Sequence, residues 1–106
     1  MNLTQWSVEV HELAKEKGWW DKNRDFGELI SLIHCELSEA YEAYRHNEPV
    51  SHTVDSKPEG IAVELVDALI RILDTLASMD VDVEYLTQVK HNYNKTREYR
   101  HGGLVA

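Results

Sequence analysis

The sequence predicts an all-α fold, an antiparallel four-helix bundle completed by oligomerisation. Three observations carry this. Apolar residues recur at helical spacing in four separate segments. Alternating β-branched runs are missing, and helix formers dominate. The third segment is apolar around more than half of its circumference, more than three partner helices of one small chain can cover.

The first helix is predicted from about Thr4 to Lys17, where Trp6, Val10, Leu13 and Ala14 share a face and Gly18 supplies a stop. The second is predicted from about Phe26 to Arg45. Asp25 and Glu28 have capping-box spacing, and Phe26, Ile30, Ile33, Leu37, Ala40 and Tyr44 form its apolar seam. The connector from Asn47 to Lys57 contains Pro49 and several turn formers and is expected to be a loop. Ser56 and Glu59 suggest a second capping box, with Pro58 in the first turn of a helix running to about Ser78. The fourth helix is expected from near Asp82, carrying Leu86, Val89 and Tyr93, and ending before Gly102 and Gly103. Short connections between such helices favour antiparallel neighbours.

The chain has 106 residues, which suits a single domain over 1–106. A domain this small often gains stability by self-association. Nineteen acidic residues against eleven basic ones leave a net charge of −8. That excludes a surface built to coat a nucleic-acid polymer, which requires a basic face. It leaves open a small phosphorylated ligand, bridged to acidic side chains by a cation. No stretch has the apolar length of a membrane span, and the first residues show neither a basic n-region nor an apolar h-region. With Cys35 as the single cysteine no internal disulfide can form, so a reducing cytoplasm is the expected location.

The candidate chemistry lies in two acidic pairs. Glu36-Leu37-Ser38-Glu39 is on the second predicted helix and Glu64-Leu65-Val66-Asp67 on the third. Spacing i, i+3 puts each pair on one face. Glu36 falls about 40° from Ala40, beside the apolar seam. On the third helix Glu64, Asp67, Arg71, Asp74 and Thr75 share a narrow polar strip of roughly 100°. Carboxylates withdrawn from water take up protons or find cations. If the two strips face each other, Glu36, Glu39, Glu64 and Asp67 converge, and an all-oxygen set of this kind suits Mg²⁺ or Mn²⁺. A di-iron bundle would instead place a histidine three residues after each leading glutamate. The ordinary alternative is a pair of solvated flanks, with Asp67 and Arg71 forming an i, i+4 ion pair.

The two acidic motifs, separated by twenty-four residues, resemble the signature of the all-α NTP pyrophosphatase superfamily, MazG-like branch. Lys90-x-x-x-Asn94-Lys95-x-Arg97, followed by His101-Gly102-Gly103, is similar to that family's C-terminal basic motif. The resemblance covers about residues 26–103. It implies Mg²⁺-dependent hydrolysis of a (deoxy)nucleoside triphosphate to the monophosphate and pyrophosphate, as in nucleotide-pool cleansing. Glu36, Glu39, Glu64 and Asp67 would be the catalytic and metal-binding residues. Lys90, Asn94, Lys95 and Arg97 would bind the phosphates. It also implies a homodimer or dimer of dimers. Phosphoribosyl-ATP pyrophosphatases share the superfamily and are an alternative. A non-catalytic helical interaction module is a second alternative, from another class.

Among the remaining residues, Trp6, Trp19 and Trp20 are core or interface candidates, with base stacking as a further use. Gln5 has the chemistry to read a base edge. His34 and Cys35 are expected to serve packing.

Overall fold

The computed structural model describes residues 1–99. They are mostly helical, with α1 at Leu3–Glu16, α2 at Phe26–Arg45, α3 at Ile61–Ser78 and α4 at Val83–Lys95. A two-stranded sheet, β1 at His52–Val54 and β2 at Lys57–Glu59, lies between α2 and α3. The His101-Gly102-Gly103 motif falls outside the described residues, and α4 ends at Lys95, short of the end expected just before Gly102.

The helix boundaries follow from local chemistry. Asn2 and Gln5 form a reciprocal capping box on α1: Gln5 N–H donates to Asn2 Oδ1, and Asn2 N–H donates to Gln5 Oε1. Gln5 is thereby committed to the cap, at the opposite end of α1 from the cleft described below. Gly18 follows the Lys17 C-cap with φ +88°, the left-handed geometry that ends helices. Asp25 accepts from Gly27 N–H at 2.7 Å, and Asp82 accepts from Tyr85 N–H at 3.1 Å.

The connector corrects the expected loop. His52 pairs with Glu59, Thr53 with Pro58 and Val54 with Lys57, in antiparallel register. Asp55 and Ser56 take φ of 50° and 69°. Two successive positive φ values in a two-residue turn match the right-handed strand twist, and Asp tolerates them. Ser56 is therefore a turn residue, Pro58 lies in a strand, and α3 starts at Ile61. Its N-cap is Gly60, which has no side chain to offer. The carbonyls of Pro49 and Val50 take over, accepting from Ile61 and Ala62 N–H at 3.1 and 2.8 Å. A Cβ on Gly60 would meet those same oxygens at 2.7 Å, and φ is +122°. Glycine is required here by both space and conformation.

Helix α3 is the centre of the fold, with α2 packed along one flank and α1 along another. Ala40 and Ala43 of α2 and Ala68 of α3 are buried, and side chains this small let the helices approach closely. Leu29, Leu73 and Val83 complete the buried apolar set.

The fourth helix makes its main contact with α1. The two N-termini cap one another: Leu3 N–H donates to Glu84 Oε1 at 3.0 Å, and Glu84 N–H donates to Thr4 Oγ1 at 2.9 Å. Thr4 Oγ1 also donates to Asp82 Oδ1 at 2.7 Å. These bonds from Thr4 and Tyr85 hold the Asp82 carboxyl below its usual range. Beyond that anchor, Leu86, Val89 and Tyr93 are exposed. So are Leu65, Val66 and Leu69 of α3, at 50%, 47% and 45%. The radius of gyration is 16.4 Å, against about 13 Å for a compact domain of this length. His34 and Cys35, expected to pack, are exposed on α2. No helix among the described residues is long and apolar enough to cross a membrane.

Candidate metal centre and cleft

The carboxylates of Glu36, Glu64 and Asp67 converge, each offering an oxygen within 4.8 Å of the other two. Glu36 comes from α2, whereas Glu64 and Asp67 are successive turns of α3. The cluster thus depends on the close packing of α2 on α3, with Ala40 one turn beyond Glu36 and Ala68 next to Asp67. Glu39 does not join this triad; it is exposed, although its charge acts on Glu64.

The electrostatics are those of like charges crowded out of water. Burial pushes the Glu64 carboxyl up, and the charges of Asp67, Glu39, Glu36 and Glu48 push it further. Burial also raises Asp67, with Glu36 adding to the effect. Arg71, Lys57 and a hydrogen bond with Glu64 oppose that rise. Lys57 belongs to β2, so the hairpin delivers a positive charge to the rim of the cluster. Both residues of α3 hold protons more tightly than ordinary carboxyls, the signature of a site short of positive charge.

Arg71 does not take the i, i+4 partner on its own helix. Its Nε donates to Glu36 Oε1 at 2.7 Å, across to α2, and the two side chains are 30% and 13% exposed. Its guanidinium carbon lies 4.4 Å from the centroid of the Trp19 ring. Arg24 lies over the same ring at 3.8 Å, donates from Nε to Trp19 O at 2.7 Å and pairs with Glu28 at 2.7 Å. Trp19 is thus held in the Gly18–Asp25 turn by two cations, each attracted by the ring's negative face.

These groups open onto a cleft of about 690 Å³. Its lining includes the acidic Glu36, Asp67 and Asp74, the basic Lys17, Arg24 and Arg71, and Trp19. Val10, Leu13, Ala14 and Ile70 supply apolar surface. A cleft of this size, part apolar and part charged, has the dimensions of a small-molecule site.

Asp74, the deepest member of the polar strip, serves structure. It is 6% exposed. Trp20 Nε1–H donates to its oxygens at 3.0 and 3.2 Å, and His11 Nδ1 lies 2.7 Å from Oδ1. The His11 and Trp20 rings meet edge to face with centroids 5.3 Å apart. This cluster ties α1 and the following turn to α3 and so forms the cleft wall. Thr75, also in the strip, donates to Arg71 O at 2.8 Å.

The basic set on α4 is not brought to the carboxylates of the same chain. Lys90 and Asn94 line a different cleft, with Leu76, Val81, Val83 and Leu86. Lys90 Nζ sits 5.1 Å from the Tyr93 ring. Lys95 and Arg97 are exposed. Trp6 is exposed near the start of α1 and takes no part in the site.

Sequence reasoning singled out Glu36, Glu64 and Asp67, named Arg71 only in the polar strip and as an ion-pair partner of Asp67, and missed Arg24, Lys17 and Lys57. Nothing in their spacing marks them, because each reaches the site from a turn, a helix end or the hairpin. Compared with protein-family models, curated proteins and solved structures, the chain matches none of them.

Proposed function

We propose that this protein is a divalent-metal-dependent nucleoside triphosphate pyrophosphohydrolase. The observation that carries the reading is the convergence of Glu36, Glu64 and Asp67 beside a mixed, nucleotide-sized cleft that Glu36 and Asp67 line. Glu64 and Asp67 hold protons more tightly than ordinary carboxyls and so are short of positive charge, and the hard oxygen donors of the triad select Mg²⁺ or Mn²⁺. A bound cation supplies Lewis acidity towards phosphate and an activated water. The chain's own residues do the rest. Lys17 and Arg24 line the cleft with positive charge for phosphate oxygens, and Trp19, Val10 and Leu13 offer flat and apolar surface for a base. Glu39 is close enough to act on Glu64 and completes the quartet when a second cation enters.

The working unit is a homodimer or a dimer of dimers. The exposed apolar faces of α3 and α4 support this, because burying them gives the bundle its missing side. In that assembly Lys90, Asn94 and Lys95 of α4, with Arg97 just beyond its end, bind phosphate in the site of a second subunit. The same exposed faces favour the second reading, a non-catalytic helical interaction module.

Pyrophosphate release from a panel of dNTPs and NTPs, including phosphoribosyl-ATP, with and without Mg²⁺ or Mn²⁺, separates these readings. Metal-dependent release is expected from at least one nucleotide. No release from any of them refutes the enzyme and leaves the interaction module. Light scattering at micromolar concentration is expected to give twice the chain mass or more; a monomer refutes the assembly.

A further inference from the structure

Arg71 is held in an incomplete way. Arginine normally grips a carboxylate with two parallel N–H bonds. Here Nε alone bonds Glu36, and the two terminal nitrogens make no hydrogen bond among the described residues. The guanidinium instead rests over Trp19, beside Arg24, on the border between the carboxylate cluster and the cleft. Its one partner is a member of the triad. An arginine cannot shed its proton, so its charge must always be placed somewhere.

We propose that Arg71 is an exchangeable counterion: it balances Glu36 while the cluster lacks a divalent cation, yields that carboxylate when one binds, and then serves the anionic group of the substrate. The inference rests on the metal-dependent reading above. Its logic is charge balance. Three converging carboxylates without a cation need a local positive charge, and Arg71 is the one bonded to them. A divalent cation on the same oxygens makes that charge redundant and repels it. The terminal nitrogens, already at the cleft and supported by the Trp19 ring, are then a fork for phosphate oxygens. Arg24 lies over the same ring but is bound to Glu28 and to Trp19 O. Arg45, an exposed cation at the end of α2 paired with Glu42 at 3.6 Å and outside the cleft, serves as a control of equal charge.

The test measures Mn²⁺ affinity by the electron paramagnetic resonance signal of free Mn²⁺, and inorganic phosphate affinity at saturating Mn²⁺, on the full chain without nucleotide. Arg71→Gln is expected to bind Mn²⁺ roughly tenfold tighter, because its competitor is gone, and phosphate roughly tenfold more weakly. Arg71→Lys, which keeps the charge and spares the fold, should stay near the wild type for Mn²⁺. Arg45→Gln should change Mn²⁺ affinity less than about twofold. Unchanged or weaker Mn²⁺ binding by Arg71→Gln, with the wild type binding normally, overturns the exchange and leaves the metal site standing. Tighter Mn²⁺ with unaltered phosphate binding overturns the handover to substrate. No Mn²⁺ binding by any variant overturns the metal reading and the exchange together.

Discussion

Replacing Asp67 by asparagine keeps the shape of the side chain while removing one of the three converging charges, and it should stabilise the metal-free protein. The carboxylate oxygens lie within 4.8 Å of one another. At that separation two unit charges repel by about 0.9 kcal/mol in water and about 3.5 kcal/mol at an effective dielectric constant of 20. Glu36 is the charge that pushes Asp67 up, and Arg71, bonded to Glu36 at 2.7 Å, offsets part of that effect. Lys57 offsets a further part. What remains is the burial of the Asp67 charge and the uncancelled part of the Glu36 field in a partly wet site, which sets the expected gain at about 1 kcal/mol. For a chain of this size that is a rise in Tm of about 4 °C in EDTA at pH 7.5. Added Mg²⁺ should reverse the ranking. A cation at a hundred times its Kd stabilises the wild type by about 2.7 kcal/mol, and Asp67→Asn should gain far less. The pH dependence has a definite sign. Both Glu64 and Asp67 are raised from ordinary values of 4.5 and 3.8 in the folded state, so the folded chain holds more protons than the unfolded one. Their contribution favours folding below those values, and it is lost as pH climbs through the raised folded ones. Metal-free stability should therefore fall with rising pH over that window, and the fall should be shallower in Asp67→Asn. Thermal melts in EDTA and in Mg²⁺ across that range decide it. A wild-type Tm indifferent to Mg²⁺, together with an Asp67→Asn variant less stable in EDTA, refutes the reasoning.

Three further substitutions probe the supports of the site. His11→Ala strips a buried Asp74 of its closest partner and should cost about 2 kcal/mol by urea denaturation; a change below about 0.5 kcal/mol would mean that Trp20 alone satisfies the carboxylate. Gly60→Ala forces a Cβ against the Pro49 and Val50 carbonyls at positive φ, and should lose at least about 2 kcal/mol while loosening the hairpin that carries Lys57. A Tm equal to the wild type would contradict that strain. Arg97→Ala should reduce kcat/KM by an amount equivalent to about 2–4 kcal/mol if α4 of a second subunit binds phosphate. Unchanged kcat/KM would leave α4 as an assembly element.

The sequence by itself determined that the described residues form four helices and where α1, α2 and the start of α4 fall. Asp25, Asp82 and Gly18 mark boundaries through bonds and φ values that belong to one short stretch of chain. It also determined that Glu36 and the Glu64–Asp67 pair flank apolar seams, since i, i+3 spacing is a property of a single helix. Other features belong to contacts between stretches, and only the tertiary structure decided them. Glu36 rather than Glu39 joins Glu64 and Asp67 because the packing of α2 on α3 sets which flank of α2 points inward, and that depends on the small side chains of both helices together. Arg71 bonds Glu36 rather than a carboxylate of its own helix because the packing of α2 on α3 brings Glu36 Oε1 within 2.7 Å of its Nε. The hairpin replaced a loop because its turn conformation is favourable only when two strands are present to be joined. The basic face of α4 was legible as a face, yet its distance from the cluster was not. Helix periodicity fixes direction around an axis and is silent about where the axis goes.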